Sequence, residues 1–184
     1  MRFNSREITR TSLFAAMHVS AAVMLRFGGE SVVPFSIVPF VAFLAAFLLG
    51  PRLGAASLGI YVAMGILGLP VFARPPYGGP AYVLQPSFGF LIGFAVAAYV
   101  AGSIGNDSTC RRILAVSVGV VALYATGIPY FYAVFHLYLD RPVSLGWVLQ
   151  VAFAPFVLLD LIKAYGAALI AVRIKRIMVN AGLL

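Results

Sequence analysis

Six apolar stretches, each closed by charge, glycine or proline, leave this 184-residue chain few ways to fold. A helix crossing the hydrocarbon core of a membrane needs about 20 residues. The stretches run from about Ile8 to Phe27, Phe35 to Gly50, Ala55 to Leu69, Pro86 to Gly105, Arg112 to Leu139 and Leu145 to Met178. Gly50-Pro-Arg-Leu-Gly54 separates the second from the third, and both are short for a full crossing. Pro129 is expected to kink the fifth, and the sixth contains Pro155. Between Val71 and Gln85 the chain is too rich in proline and glycine to be helical.

Composition narrows the class. Hydrophobic residues make up 62% of the chain and charged ones 10%, where a soluble domain carries about 25% charged. Mean hydropathy is +1.03. These values describe an all-α polytopic membrane protein, a six-transmembrane-helix bundle in which residues 1–184 form a single domain. The net charge of +8 does not mark a nucleic-acid binder, because the basic residues sit at helix ends and form no continuous patch. One cysteine, Cys110, placed in a polar loop, allows neither an intrachain disulfide nor a cysteine-based metal site. His18 and His136 form no ligand motif and read as packing or interfacial residues. The basic-then-apolar start also fits a secretory signal peptide, but no other feature requires export.

Lysine and arginine set the orientation. With the N-terminus cytoplasmic, that side holds nine of them: Arg2, Arg6, Arg10, Arg52, Arg111, Arg112, Arg173, Lys175 and Arg176. The outer ends hold three, Arg26, Arg74 and Arg141, and Lys163 lies within the membrane. Both termini are therefore expected in the cytoplasm, with Val71–Gln85 outside as the wall or lid of a cavity. Non-helical backbone near a membrane must be buried in protein or line a watery space.

Rows of small residues let helices approach closely in lipid. Gly89, Gly93, Ala97, Ala101 and Gly105 form one row and Ala55, Gly59 and Ala63 a second; both read as internal packing faces. Ser12, Ala16 and Ser20 form a third, beside a basic N-terminus, which fits the approach of a partner helix. No enzymatic motif is present: there is no GxSxG, HExxH, P-loop or Rossmann glycine set. The chain does not itself hydrolyse ATP by the P-loop route.

Asp160 and Lys163 stand out within Phe156–Ala171, an otherwise membrane-grade run. Spaced i,i+3, they share one helix face. A charge at the centre of a bilayer costs at least ~2.5–3.5 kcal/mol, so an intramembrane acid and base point to function. Residue type alone leaves two readings open: a self-neutralising structural pair, or two heads facing a cavity that grip a polar solute.

Leu48-Leu-Gly-Pro-Arg-Leu-Gly54, Gly68-Leu-Pro-Val-Phe-Ala73 and Tyr82-Val-Leu-Gln-Pro-Ser-Phe-Gly-Phe-Leu-Ile-Gly-Phe94 resemble the BioY family of biotin-specific S components of energy-coupling-factor (ECF) transporters. Val33-Pro-Phe-Ser-Ile37, Gly127-Ile-Pro-Tyr130 and Asp160-Leu-Ile-Lys163-Ala164 match further family blocks in order, so the resemblance covers nearly the whole chain. It implies a six-helix bundle holding the vitamin near the outer face. It also implies partners: a transmembrane coupling protein and two ATPase subunits. Asp160 and Lys163 take the positions of the family's polar biotin contacts. Phe35, Tyr82, Phe88 and Tyr130 would supply apolar walls, with Gln85 and Ser87 on the same side. Biotin is then a transported ligand, and no cofactor is implied. The resemblance places the chain in the cell membrane.

The chain departs from the family in three places. It has Pro34-Phe-Ser-Ile-Val38 where a Pro-Phe-Thr-Leu-Gln is common, and Gln85-Pro-Ser-Phe-Gly-Phe90 where Gly-Pro-Thr-Gly-Gly-Tyr is common. The family's glycine-rich loop is here Ala73-Arg-Pro-Pro-Tyr-Gly-Gly79. All three touch the binding side. The family's Ala-xxx-Ala docking motif survives only as the small residues Ser12, Ala16 and Ser20. The alternatives to a biotin S component are an S component for another small vitamin, and a membrane assembly subunit in which Asp160–Lys163 is structural.

Overall fold

The structure is a computed structural model that describes residues 4–27 and 36–180. Phe35 and Pro34 lie outside the described residues. Six α-helices follow one another: α1 (Ser5–Met24), α2 (Val38–Ile66), α3 (Phe88–Ile104), α4 (Thr109–Leu137), α5 (Leu145–Ala152) and α6 (Val157–Asn180). Local chemistry starts several of them. Glu7 Oε2 accepts the Asn4 N–H at 2.9 Å. Ser108 and Ser144 side chains accept N–H bonds from Arg111 and Trp147, each at 3.2 Å, satisfying first-turn donors that have no partner within the helix.

The second and third apolar stretches are the two legs of α2. Gly50 interrupts it with φ +82° and ψ 178°, a backbone conformation that glycine adopts without penalty. A Cβ at Gly54 would stand 2.9 Å from Cα of Ala46. In a straight helix residues eight apart are about 12 Å apart along the axis, so the chain doubles back at Gly50. α2 and α4 are each long and apolar enough to cross a membrane, as is the α5–α6 pair taken across its 45° bend. The reversal means that α2 uses its 29 residues as two shorter legs.

Contacts order the ends of the bundle. At one end a Cβ on Gly102 would lie 2.8 Å from Cα of Pro51, and Asn106 Nδ2 reaches the Ala168 carbonyl at 3.5 Å. At the other, Arg26 follows α1 and donates through Nε and Nη2 to the Phe72 carbonyl at 3.1 and 2.6 Å, and through Nη2 to that of Pro70. Its guanidinium lies 4.4 Å from the centre of the Tyr77 ring. Arg26 thus supplies donors to a stretch whose prolines remove several of its own.

Three expectations are corrected. α4 starts at Thr109, so exposed Cys110 lies in its first turn and not in a loop. The same helix includes Pro129 and runs on to Leu137. The sixth stretch breaks at 153–156, around Pro155, into α5 and α6. The segment Val71–Gln85 holds a short 3-10 turn, Pro80–Leu84.

The small-residue rows divide. Gly89 and Gly93 admit Tyr130 and the Leu123 backbone, where a Cβ would stand 2.3 and 2.7 Å away, and Ala97 and Ala101 are fully buried. The second row is not a packing face: Gly59 and Ala63 are exposed, and a Cβ at Gly59 meets nothing within 4 Å. Ser57, Leu58 and Tyr61 face inward instead.

Candidate functional site

Asp160 lies in the first turn of α6, just after the break at Pro155, its N–H bonded to the Phe156 carbonyl at 2.8 Å. Its carboxylate is buried. Oδ1 stands 3.4 Å from Lys163 Nζ, and Oδ2 accepts the Tyr124 hydroxyl at 2.8 Å. The Lys163 side chain is 20% exposed against 9% for Asp160, so the lysine is the less buried member of the pair. The two heads pair with each other, the contact that the self-neutralising reading calls for, and Tyr124 of α4 adds a partner to the carboxylate.

Tyr124 is held from two sides. Its ring meets Phe153 edge-on at 4.9 Å and Phe90 at 5.9 Å. Phe90 fits the notch at Gly127, where a Cβ would stand 2.4 Å from its ring. Tyr124 also borders a cavity of about 520 Å³ between α4 and the start of α6, shared with Val120, Ile128, Phe153, Val157 and Leu161. That cavity is apolar, and neither Asp160 nor Lys163 lines it. Sequence reasoning did not single out Tyr124. The available signal was a phenol in the apolar run Val120-Val-Ala-Leu-Tyr124, since a buried tyrosine hydroxyl needs a partner.

The other expected residues gather along the outer loop. Tyr82 is buried, stacked on Phe72 at 4.1 Å and edge-on to Phe88 at 6.4 Å. Phe88 is 6.0 Å from Tyr130, whose hydroxyl donates to the Val83 carbonyl. Burial pushes the Tyr82 phenol above its usual range, against the pull of nearby Arg74. Gln85 and Ser87 are half-buried where this loop enters α3, and their carbonyls accept from Phe88 and Phe90 at 2.9 and 3.1 Å. Two residues of α3 connect this aromatic row to the carboxylate: Gly89 packs against Tyr130, and Phe90 meets Tyr124, which bonds Asp160. Phe35 falls outside the described residues.

On α1, Ser12, Ala16 and Ser20 are all exposed, on the side away from buried His18. Ser20 turns its hydroxyl onto the Ala16 carbonyl at 3.0 Å, so this face offers a smooth surface of small groups. Among the described residues no group of three or more histidine, cysteine or acidic side chains is placed to hold a metal.

Residues 1–180 match the model of the BioY family. The chain is a member of the BioY family. A probable biotin transporter BioY of Lysinibacillus sphaericus is 34% identical over 181 residues, covering 94% of this chain and 91% of that protein. The biotin transporter BioY of Thermotoga maritima is also 34% identical, over 95% of this chain and 99% of its own. The fold is similar to that in a crystal structure of the S-component for biotin from an ECF-type ABC transporter. The TM-score is 0.59, with 22% identity and 95% of each chain covered. BioY relatives are transport proteins, and this all-helical chain shares their architecture along nearly its whole length.

Proposed function

We propose that this chain is the biotin-binding S component of an ECF transporter, with Asp160 and Lys163 as its polar grip. The observation that carries this reading is a sequestered carboxylate–ammonium pair, organised by Tyr124, in a member of a family of biotin transporters. The chemistry agrees. Biotin offers two ureido N–H donors, a strong carbonyl acceptor and a terminal carboxylate. A carboxylate accepts the N–H groups, and an ammonium serves the carbonyl or the valerate. The aromatic row from Phe72 through Tyr82 and Phe88 to Tyr130 supplies apolar surface beside the outer loop.

Uptake is driven by ATP hydrolysis on two separate ATPase subunits, acting through a transmembrane coupling protein. The exposed Ser12–Ala16–Ser20 face is the surface such a protein's helix would approach. The excess of lysine and arginine in the chain's N-terminal stretch, in the Gly50 turn, before α4 and after α6 supports a plasma-membrane orientation with both termini in the cytoplasm. Exposed Cys110 is on the cytoplasmic side in this orientation. It should react with an impermeant thiol reagent only when the cytoplasmic side is accessible; efficient labelling of intact cells inverts the orientation.

The deciding experiment is a calorimetric titration of the detergent-solubilised chain with biotin and a panel of other small vitamins. Biotin alone should bind tightly. Preference for another vitamin would trace to the departures at Val38 and Gln85–Phe90, and no binding at all would favour an assembly subunit.

A further inference from the structure

Among the described residues Asp160 is bonded by Tyr124 and Lys163, and the two differ in kind. Lys163 belongs to the same helix and moves with it. Tyr124 belongs to α4, and of the two contacts its 2.8 Å bond to Oδ2 is the shorter, against 3.4 Å from Oδ1 to Lys163. A phenol has one proton to give, and here it goes to Asp160. The carboxylate torsion is broad and roughly two-fold, so α6 by itself leaves the plane of the group free to rock. Tyr124 cannot follow such rocking easily, because Phe153 and Phe90 meet its ring edge-on and Gly127 seats Phe90.

We propose that Tyr124 is a positioning residue of the binding site: it fixes the plane of the Asp160 carboxylate and leaves Oδ1, on the Lys163 side, as the oxygen a ligand meets. This rests on the reading that Asp160 grips biotin. A ligand N–H then meets an oxygen whose direction is set before it arrives, so binding does not have to order the carboxylate. The residue acts through Asp160, and its hydroxyl matters only while the carboxylate is there.

The test is a double-mutant cycle on biotin affinity, using the purified full chain in detergent: parent, Tyr124→Phe, Asp160→Asn and the two together. Tyr124→Phe keeps the ring and removes the hydroxyl. It should weaken biotin binding about tenfold, the scale of one hydrogen bond to a charged group. In the Asp160→Asn background the same change should cost less than about twofold, because coupled residues are not additive. A purely structural tyrosine predicts an equal loss in both backgrounds, and that result overturns the proposal, as does a Tyr124→Phe variant that binds like the parent. If Tyr124→Phe does not fold, Phe90→Leu replaces it, loosening one side of the ring. It should weaken binding about threefold in the parent and not in Asp160→Asn, by the same coupling logic; equal losses again overturn the proposal. A parent chain that does not bind biotin overturns the underlying reading, and the positioning role falls with it.

Discussion

Two polar groups are buried in this bundle on different terms. His18 of α1 is fully buried, its Nε2 3.3 Å from Ser57 Oγ on the second leg of α2. Ser57 gives its own proton to the Gly54 carbonyl at 2.7 Å. The imidazole must therefore donate to Ser57 through Nε2, and Nδ1 is left without a partner among the described residues. The group is neutral and closed, and it fastens α1 to α2 just above the point where the two α2 legs meet. Asp160 is the opposite case. Both its oxygens have partners, from two helices, and the lysine beside it keeps a partly exposed side chain. Burying an ion costs several kcal/mol even after relaxation, far more than burying a neutral imidazole. A bundle that only needed fastening has the cheaper device at His18; keeping a charged one points to a ligand.

The largest expected effect concerns the helix that carries the closed group. With His18 holding its inner side, α1 offers Ser12, Ala16 and Ser20 outward. Ala16→Trp should abolish biotin uptake and co-purification of the coupling protein while leaving affinity of the isolated chain unchanged. Uptake by that variant would move the docking face elsewhere. Next comes the charged group. Lys163→Met or Asp160→Asn should weaken biotin binding on the order of 10- to 100-fold, and Lys163→Met should also lower stability by about 3–5 kcal/mol by stranding the carboxylate. Thermal melts and titrations of the double variant sharpen the contrast: stability should return and binding should not. A double variant binding like the parent would make Asp160 a fastener of the His18 kind.

Smaller effects are expected at His18, and their order is informative. Ser57→Ala strands the buried Nε2–H and should cost about 1–3 kcal/mol in unfolding measurements. His18→Leu removes the unpartnered Nδ1 along with the bond, while Ser57 keeps its link to Gly54. It should change stability by less than about 1 kcal/mol. Neither should alter biotin affinity. A marked loss of affinity in either would join the two groups into one site.

Much of the fold was legible because bilayer thickness and backbone chemistry act locally. Apolar length gave the stretches, and Gly50-Pro51 marked the reversal. Pro155 broke its helix while α4 ran on through Pro129, which sequence alone could not separate. The direction a row of small residues faces is equally non-local. The α3 row receives Tyr130 and Leu123, whereas the similar row at Ala55, Gly59 and Ala63 faces outward, because Ser57 and Tyr61 claim the inner side. At the site, Asp160 and Lys163 announced themselves as charges in hydrocarbon. Tyr124 did not, because what aims its hydroxyl is the packing of Phe90 and Phe153 from other elements.

The doubling back at Gly50 bears on how the chain tolerates a change of length. A Cβ there would meet nothing within 4 Å, so the obstacle to substitution is backbone conformation and not space. A turn made within one residue has no slack to bulge. One inserted amino acid would rotate a leg by about 100° about its axis and carry Gly54 away from Ala46. The link between α4 and α5, where Asp140, Arg141 and Pro142 are exposed, has room to absorb an insertion. An epitope or fluorophore therefore belongs in that link, and the Gly50 corner should be left at its native length.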